Sequence, residues 1–381
     1  MLTPASPLAR LDAIDQARRL VLQERAPAAQ SLIAPWIERS WRRCLSRGHA
    51  PGQSVAFAPL SASGVRQARE SSRGLTRAAQ PVLDELGRAL AATRYFAILT
   101  DAQGIVVDVN GPIDRQDCRA DLITRIGVDL SEPCVGTTAI GAALSELQPV
   151  WLHRGEHFFD ATSSYSCAGA PLFGPWGECV GMLDLTGVDA PERPELQHLA
   201  AQSARRIENL LAQQQAHQLL LRLNWPGQGL GTESDGLVGL DGDGCVSFSN
   251  SAARAMLPVL ARAMSLHGAR PHAGELFALP HEQLFDAARR PATPMAVPLW
   301  SGLQLQMLVL AGASSGAATA SVRVPPATRG PAAPPSARLR DIESALIRQA
   351  VDEARGNVAL AASRLGISRA TVYRKLGLQR A

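Results

Sequence analysis

The sequence predicts an α+β fold of several domains that ends in an all-α module. Two stretches, at about residues 95–190 and 237–310, alternate short strand-like apolar runs with helical segments. Residues 311–337 are mostly Ala, Gly, Ser and Pro, so they cannot bury a core and are typical of a flexible linker. After this linker, helical periodicity returns together with a concentration of positive charge.

The length of 381 residues is typical of two or three folded domains. We predict these boundaries from the changes in pattern: a helical N-terminal segment at 1–75, a sensor-like α/β domain at 76–190, a connecting helix at 191–229, a small second α/β module at 230–310, the linker at 311–337 and the all-α module at 338–381.

The composition argues against several classes of protein. The apolar fraction of 46% is ordinary, and no apolar run approaches the roughly 20 residues of a membrane span. Residues Met1–Arg10 lack the pattern of a secretory signal. The six cysteines show neither CxxC pairing nor histidine partners at ligand spacing, which argues against a zinc site or a disulfide framework. We therefore expect a cytoplasmic protein that needs no metal, cofactor or membrane.

Apolar spacing predicts the elements of the first domain in chain order. Helical spacing dominates residues 1–75, and residues 81–93 form a further amphipathic helix. The pattern then changes to a hairpin whose turn, Asp101–Gly104, places glycine where a positive φ is needed. The predicted strands and helix are Tyr95–Thr100, Ile105–Val109, helix Thr137–Leu147, Pro149–His153, Tyr165–Phe173 and Cys179–Leu185.

Residues 192–222 carry one long helical pattern, whose apolar side includes the leucines at 219–221. Such a helix connects two domains or pairs with its copy in a dimer; the alternative is a core helix of its own domain. The second module follows, with a hairpin at Leu237–Asn250, a short helix at Ser251–Met256 and strands near Met295–Leu299 and Leu303–Leu310.

The net charge of +4 is concentrated at the C-terminus. From Arg338 to Ala381 there are nine basic and four acidic residues, a net charge of +5, and no acidic residue follows Glu353. A basic block confined to one terminal module is typical of a nucleic-acid binder, and the alternative is a solvated basic tail.

We predict three short helices in this basic module. They are Arg340–Ala354, Val358–Leu365 and a third that runs from its cap Ser368 to Leu376, and Gly366 can adopt the left-handed conformation that reverses the chain. This arrangement is a helix-turn-helix, whose last helix reaches base edges in the major groove; the alternative is a basic bundle without a ligand. The outward side chains predicted to contact DNA are Ser368, Arg369, Thr371, Tyr373, Arg374 and Lys375.

The stretch that begins at Leu346 and contains RGNVALAASRLGISRATVYRKLGL resembles the Fis-type DNA-binding domain that ends many bacterial enhancer-binding regulators. The resemblance covers about 40 residues. It implies double-stranded DNA as the partner and a homodimer whose Arg340–Ala354 helices contribute to the interface. It also assigns the DNA contacts to the six outward side chains of the third helix.

Four further runs resemble the acetoin/glycerol-catabolism regulator family. EPCVGTTAIGAAL (Glu132–Leu144), EHF (Glu156–Phe158) and YSCAGAPLFGPWGECVGMLDLTG (Tyr165–Gly187) resemble its GAF sensor, and WIERSWRRCLSRG (Trp36–Gly48) resembles its N-terminal segment. The run DGLVGLDGDGCVSFSNSAARAML resembles the start of a PAS domain. The implied architecture is a GAF-like α/β sensor, a PAS-like module and a helix-turn-helix.

A GAF domain implies a small-molecule effector held between the sheet and its covering helix and loops. Thr138 stands where that family usually has asparagine. His153 and His157 follow a strand and have Gly155 between them, so we do not expect them to share a metal-binding face of a helix. A lone cysteine on a strand, such as Cys167, is typical of a small buried apolar residue. The candidate effector-binding residues are Cys134, Thr137, Thr138, His153, His157, Tyr165 and Cys167.

The chain departs from that family at its motor. Members usually carry an AAA+ ATPase between the sensor and the DNA-binding domain, which remodels sigma-54 polymerase. A P-loop needs a lysine to reach the nucleotide phosphates, and the only lysine here is Lys375, inside the third helix. No GAFTGA loop is present either. We therefore predict no ATP hydrolysis by this route and no enzymatic activity.

The sequence as a whole predicts a dimeric, sequence-specific DNA-binding transcription regulator whose GAF domain senses a small molecule. RNA polymerase and a full-length related regulator are candidate further partners. The first rival is a non-sensing DNA-binding scaffold or co-regulator, in which the GAF and PAS modules only dimerise or dock a partner. The second rival is an enzyme within residues 80–310, for which no nucleophile or metal site is evident.

Overall fold

The computed structural model describes residues 7–27, 32–265 and 270–312. Within these ranges the chain forms two five-stranded antiparallel sheets with helices packed against them, which confirms the predicted α+β class. Among the described residues, no helix is both long and apolar enough to cross a membrane. The predicted helix-turn-helix and nearly all of the predicted linker lie outside the described residues.

The N-terminal segment is helical, as predicted, and packs on the first sheet domain. The first helices are α1, Pro7–Arg18, with a π-helical turn at Arg19–Gln23, then α2, Pro35–Ser46, α3, Ala62–Ser71, and α4, Arg73–Ala89. Helix α2 begins with proline at its first position and buries Ile37, Trp41 and Cys44, which recur every three to four residues. These side chains share a core with Phe158 and Phe159.

The first sheet matches the elements predicted for the GAF-like domain. Its strands are β1, Tyr95–Asp101, β2, Val106–Asn110, β3, Val150–His153, β4, Tyr165–Phe173, and β5, Cys179–Val188, in the order β2-β1-β5-β4-β3. Between β2 and β3 lie α5, Cys118–Ile123, α6, Glu132–Val135, and α7, Ala139–Glu146. Two 3₁₀ turns, Arg154–Glu156 and Asp160–Thr162, connect β3 to β4.

Strand β5 separates the two layers that cover this sheet. Because successive side chains point to opposite faces, Leu183 and Leu185 join the core under α4 and the following helix. Met182 and Val188 join the core under α7. The polar residues of β5 that alternate with Leu183 and Leu185 therefore face α7.

The helix after the first sheet is shorter than predicted. Helix α8, Leu196–Gln213, buries its apolar side on the first sheet, as a core helix of that domain does, and its last turn also packs on the second module. The prediction of helix through residue 222 is wrong, because Leu219–Asn224 is strand β6. This leucine-rich strand pairs with a neighbour on each side, which is why it carries a continuous apolar run that also fits a helix.

The second sheet is built around β6, in the order β8-β7-β6-β10-β9. The hairpin, short helix and late strands predicted for this module are all present. Its other elements are β7, Gly236–Leu240, β8, Val246–Ser249, α9, Ser251–Met256, α10, Pro258–Ser265, α11, Ala273–Leu276, α12, Glu282–Ala288, β9, Met295–Pro298, and β10, Gln304–Ala311.

The predicted turn of the first hairpin has the conformation that its sequence requires. Gly104 has a φ of 87°, and the Asp101 carboxylate accepts hydrogen bonds from the backbone N–H groups of Gln103 and Ile105. The corresponding turn between β7 and β8 repeats this arrangement, with Gly244 at a φ of 77°. Each turn is therefore specified by one aspartate and one glycine.

Candidate functional site

A small cavity lies between the first sheet and the layer that contains α7. Its volume is about 30 Å³, enough for about two water molecules. The sheet contributes side chains from β4 and β5, and the covering layer contributes the N-terminus of α7 and the loop after β3. Its polar lining consists of Thr138, His157, Thr162, Tyr165, Cys167, Asp184 and Thr186.

Four of the seven predicted effector residues meet at this cavity: Thr138, His157, Tyr165 and Cys167. Thr138 is also the N-cap of α7, where its hydroxyl accepts a hydrogen bond from the Gly141 N–H. Burial raises the pKa of the Cys167 thiol well above its usual range, so this group stays protonated, as a buried structural cysteine does.

The other three predicted effector residues do not line the cavity. Cys134 is exposed, and its thiol donates a hydrogen bond to Asp129. Thr137 is buried on the opposite side, where its hydroxyl lies 2.7 Å from that of Ser40 in α2. His153 is buried at the end of β3, with Nδ1 2.8 Å from the Ser166 hydroxyl. Adjacent residues in a loop or strand point in different directions, so proximity in sequence did not predict a shared pocket.

The sequence-based prediction missed Asp184, which also lines the cavity. Asp184 is 1% exposed, and Oδ2 accepts a short hydrogen bond from the Thr186 hydroxyl. Oδ1 is buried without a hydrogen-bond partner among the described residues. The signal was present, because a charged residue interrupts the apolar run GMLDLTG in a strand that alternation places against α7.

The surroundings of Asp184 favour its neutral form. Burial raises the pKa of this carboxyl to about 7, against the opposing effect of the hydrogen bond from Thr186. A buried carboxyl with one unpartnered oxygen is costly unless a ligand or water satisfies it.

His157, which also lines the cavity, has a second unpartnered atom. The imidazole is completely buried, and Nδ1 lies 2.9 Å from the carbonyl oxygen of Arg154. Its Nε2 is buried without a hydrogen-bond partner among the described residues. Burial lowers the pKa of this histidine to about 4, so the ring is neutral near pH 7.

The N-terminal helices fix the wall that carries His157. The guanidinium of Arg18 in α1 donates hydrogen bonds to the carbonyl oxygens of Gly155, at 2.9 Å, and His157, at 2.7 Å. The indole of Trp41 in α2 donates a hydrogen bond to the carbonyl oxygen of Glu156. The backbone around His157 is therefore held by α1 and α2 as well as by its own domain.

Helix α2 also holds the segment that leads into α7. Glu132 is buried and accepts hydrogen bonds from Arg43, Arg47 and Ser40 of α2 or the residue that follows it. Burial opposes ionisation of Glu132, but these hydrogen bonds overcome it and lower the pKa of its carboxyl. The two N-terminal helices thus support both sides of the cavity.

Helix α8 connects the first sheet to the second module. Glu208 accepts a hydrogen bond from the N–H of Phe173 at the end of β4. One residue later, the side-chain oxygen of Asn209 accepts a hydrogen bond from the Asn250 amide, which caps α9. Strand β4, which lines the cavity, is therefore tied to α8, which contacts the second module.

No metal centre is apparent at this cavity. Within residues 7–27, 32–265 and 270–312, no group of three or more His, Cys, Asp or Glu side chains is arranged to hold a metal ion. The six side chains predicted to contact DNA, from Ser368 to Lys375, lie outside the described residues and stay a prediction.

Two family models match the chain. Residues 17–209 match the model described as MimR, N-terminal domain, and residues 338–377 match the model described as bacterial regulatory protein, Fis family. The first match covers α2 and the whole first sheet domain, and the second covers the predicted helix-turn-helix.

Curated relatives of the chain carry regulatory names. The chain is 31% identical to the acetoin catabolism regulatory protein of Cupriavidus necator over 232 residues, which are 58% of this chain and 34% of that protein. It is 28% identical to the acetoin dehydrogenase operon transcriptional activator of Bacillus subtilis over 177 residues, which are 46% of this chain and 29% of that protein. The alignments thus span about a third of these relatives' length.

The solved structure of the E. coli DhaR(N)-DhaL complex is 16% identical to the chain. It covers 73% of this chain and 99% of the matched chain, with a TM-score of 0.45.

Proposed function

We infer the function from two facts: the chain belongs to the MimR N-terminal domain family, and it ends in a segment of the Fis family of bacterial regulatory proteins. The chain is a transcription regulator that binds specific DNA sequences through residues 338–377. The Fis-family match is the single observation that carries this conclusion, and the relatives' regulatory names agree with it.

DNA is contacted by Ser368, Arg369, Thr371, Tyr373, Arg374 and Lys375. These side chains are proposed from the sequence of the third predicted helix, which combines hydroxyl, aromatic and cationic groups on one side. The helix Arg340–Ala354 contributes to a homodimer, so that two third helices read two half-sites.

The first sheet domain is the sensor, and the small cavity between β4, β5 and α7 is its effector site. Two buried polar atoms without partners, Nε2 of His157 and Oδ1 of Asp184, support this assignment. Both residues line this cavity, and buried polar groups of this kind are normally satisfied, which favours a bound molecule there. An effector there acts by shifting the population or geometry of the dimer.

The chain does not open sigma-54 promoters by itself. Its only lysine is Lys375, within the segment proposed to contact DNA, so no lysine is left for a P-loop. Regulation by this chain therefore involves one of two partners. Either RNA polymerase initiates transcription without ATP hydrolysis by this chain, or a full-length related regulator that shares its DNA sites supplies that activity.

A second candidate function is a DNA-binding scaffold that senses nothing. The volume of the cavity, about 30 Å³, favours it, because drug-sized ligands occupy about 300–1,000 Å³. In this alternative the two sheet modules serve only to dimerise or to dock a partner.

DNA-binding titrations distinguish these functions. Genomic mapping of bound sites supplies the DNA, and fluorescence anisotropy then measures the affinity of the full chain with and without a candidate effector. A changed affinity supports the sensor, whereas an unchanged affinity across a library of small molecules supports the scaffold. Failure of the full chain to prefer its mapped sites over scrambled DNA contradicts both.

A further inference from the structure

We propose that two copies of this chain associate through one end of the second sheet, where Trp225, Trp300 and Leu303 form an exposed apolar surface. We call this surface the apolar end. The inference rests on the proposed function in one respect, because the second copy is the partner that the proposed homodimer requires. It adds the place on the chain where that partner binds.

The strand register brings the three residues together. Strands β6 and β10 are antiparallel, and their last pair at this end is Asn224 with Gln306. Trp225 is the first residue after β6, and Leu303 is the last residue before β10. Trp300 lies in the short turn that joins β9 to β10. All three therefore lie at the same end of the sheet, on neighbouring strands.

Trp225 and Leu303 also lie on the same face of the sheet. Successive residues of a strand point to opposite faces, so Trp225 continues the buried row of β6 that ends at Leu223. By the same alternation Leu303 continues the buried row of β10 that begins at Leu305. The apolar rows that form the core of the second module thus run past that core to the surface.

Trp300 is held in place by a hydrogen bond. Its indole N–H donates to the carbonyl oxygen of Gly274, 2.9 Å away in α11, a helix that packs on the same core. Trp300 is nevertheless 70% exposed and Leu303 is 55% exposed, which are the two highest values for large apolar residues within the described part of the chain. A tryptophan that is already ordered loses little entropy on binding, and this residue type is enriched at the energetic centres of interfaces.

The segments that carry these side chains are uncharged. Residues 223–232 and 291–322 contain no Asp, Glu, Lys, Arg or His. Glu275 is the charged residue of α11, and its carboxylate accepts a hydrogen bond from the N–H of His272. DNA and anionic lipid headgroups are bound through cations, which these segments lack. A second copy needs no charge, because the same uncharged surface on both copies is complementary to itself across a two-fold axis.

The exposed side of α4 is less suited to pairing with its own copy. Association there would remove charged groups from water, whereas the centres of interfaces are depleted of charge. The exposed charged residues of α4 are Arg73, Arg77, Asp84, Glu85 and Arg88.

The direction of β10 is compatible with DNA binding by such a dimer. Its eight residues, Gln304–Ala311, lead away from the apolar end and carry the chain about 25 Å from it. The C-terminal segments of two copies joined at this end therefore start about 50 Å apart. About 25 residues, 313–337, separate β10 from the Fis-family segment and can span up to about 80 Å in each copy. Both segments can thus reach half-sites about 34 Å apart.

Sedimentation equilibrium of the full chain tests the proposal. The double variant Trp300→Ala and Leu303→Ser removes apolar area from the apolar end. Its matched control is the double variant Trp176→Ala and Leu147→Ser, whose residues are 42% and 51% exposed on the sensor. Because truncation at the energetic centre of an interface typically weakens binding about 30-fold or more, we expect at least this increase in the dissociation constant of the dimer, and less than about threefold in the control.

Fluorine NMR of the full chain, labelled with 5-fluorotryptophan, examines the same surface without removing it. The resonances of Trp176, Trp225 and Trp300 are assigned by substitution with phenylalanine, and the change of shift between H₂O and D₂O reports the exposure of each ring. Trp225 and Trp300 should be protected from solvent above the dissociation constant of the dimer and exposed below it, whereas Trp176 should be exposed at both concentrations. If the double variant does not fold, this measurement decides alone.

Three results overturn the proposal. They are a monomeric unmodified chain, a dimer that the double variant and its control weaken equally, and protection of Trp300 at concentrations where the chain is monomeric, which would mean that the same chain covers the surface. The proposed function is tested separately, by the preference of the full chain for mapped over scrambled DNA. If this preference is intact while one of the three results is obtained, the surface alone is rejected, and loss of the preference rejects the proposed function.

Discussion

Helix α2 is attached to the sensor through one buried carboxylate, that of Glu132, so replacing this residue should lower the free energy of unfolding substantially. Glu132 has a side chain only 4% exposed, and it pairs at 2.8 Å with Arg43 and with Arg47. Its third partner, the Ser40 hydroxyl, lies 2.6 Å away and is fully buried. Replacing Glu132 with glutamine keeps the size of the side chain but removes the carboxylate that pairs with Arg47, and it leaves Arg43 with Glu146, at 3.2 Å, as its remaining partner.

Breaking a buried ion pair costs about 3–5 kcal/mol when both charges are inaccessible to water. Arg43 and Arg47 are 32% and 41% exposed, so solvent can hydrate part of the uncompensated charge. We therefore expect Glu132→Gln to lower the free energy of unfolding of the sensor by about 2–3 kcal/mol. The matched control is Arg73→Ala, whose pair with Glu70 is exposed on both sides and should cost no more than about 1 kcal/mol.

Urea unfolding followed by tryptophan fluorescence measures the difference in the free energy of unfolding, since Trp41 lies in α2 with Ser40 and Arg43, which contact Glu132. The pH dependence is a second readout. The pKa of Glu132 is lowered in the folded chain, so its contribution is present above the pKa of the unfolded chain, about 4.3, and is lost as the pH falls through the folded pKa. Equal destabilisation by Glu132→Gln and Arg73→Ala would show that the contacts of Glu132 with Ser40, Arg43 and Arg47 do not stabilise the sensor.

Four further predictions follow from the same account. Arg369→Ala should weaken binding to the mapped site by about 1–3 kcal/mol and relax specificity at one base pair of each half-site, whereas Arg374→Ala should weaken binding to all sequences alike; anisotropy on matched and mismatched DNA checks both. Burial raises the pKa of Asp184 to about 7, so protonation of this carboxyl stabilises the folded chain at low pH. The free energy of unfolding of the unmodified chain, relative to that of Asp184→Asn, should therefore fall as the pH rises from about 4 to about 7, with a slope approaching 1.4 kcal/mol per pH unit. A difference that does not change with pH contradicts this. The purified chain should hydrolyse no ATP, with or without DNA, because it has no P-loop lysine, and phosphate release above a no-protein control contradicts this. A fragment of residues 338–381 should bind DNA about 10²–10⁴-fold more weakly than the full chain if the N-terminal part maintains the dimer; equal affinity together with a monomeric full chain in sedimentation experiments contradicts it.

The sequence predicted the elements of the first sheet well because their signals are local. Two short apolar runs and the Asp101–Gly104 turn between them indicate the hairpin of β1 and β2, and both are readable without knowledge of the tertiary structure. The leucines at 219–221 had no such local signal. Only their pairing with β7 and β10 makes them a central strand, and these partners lie up to about 90 residues away along the chain.

The candidate site was predicted only in part for a related reason. Thr138, His157, Tyr165 and Cys167 were identified from motifs, and the structure places them at one cavity. Cys134 and Thr137 belong to the same motif, but Cys134 lies on the exposed side of α6, and Thr137, just before the N-cap of α7, is directed to α2. Asp184 was missed because its role depends on which face of β5 is covered, and that face is defined by the packing of α7.

The contribution of the N-terminal helices to the cavity could not be predicted from spacing. Arg18 and His157 are 139 residues apart, and the hydrogen bond from the Arg18 guanidinium to the His157 carbonyl joins two segments with no shared pattern. An arginine on an amphipathic helix is usually a solvated side chain. Only the structure shows that the side chain of Arg18 is directed into the first sheet domain.

The central claim is that this chain binds specific DNA through its C-terminal segment. The most direct test is fluorescence anisotropy of the full chain, and of the chain ending at residue 337, on the mapped site and on scrambled DNA at a fixed salt concentration. We predict that the full chain prefers the mapped site by a factor of about 10³ or more, and that the shortened chain binds neither DNA while its sensor unfolds at an unchanged urea concentration. Equal affinity of the full chain for both DNAs, or retention of specific binding by the shortened chain, would contradict the account.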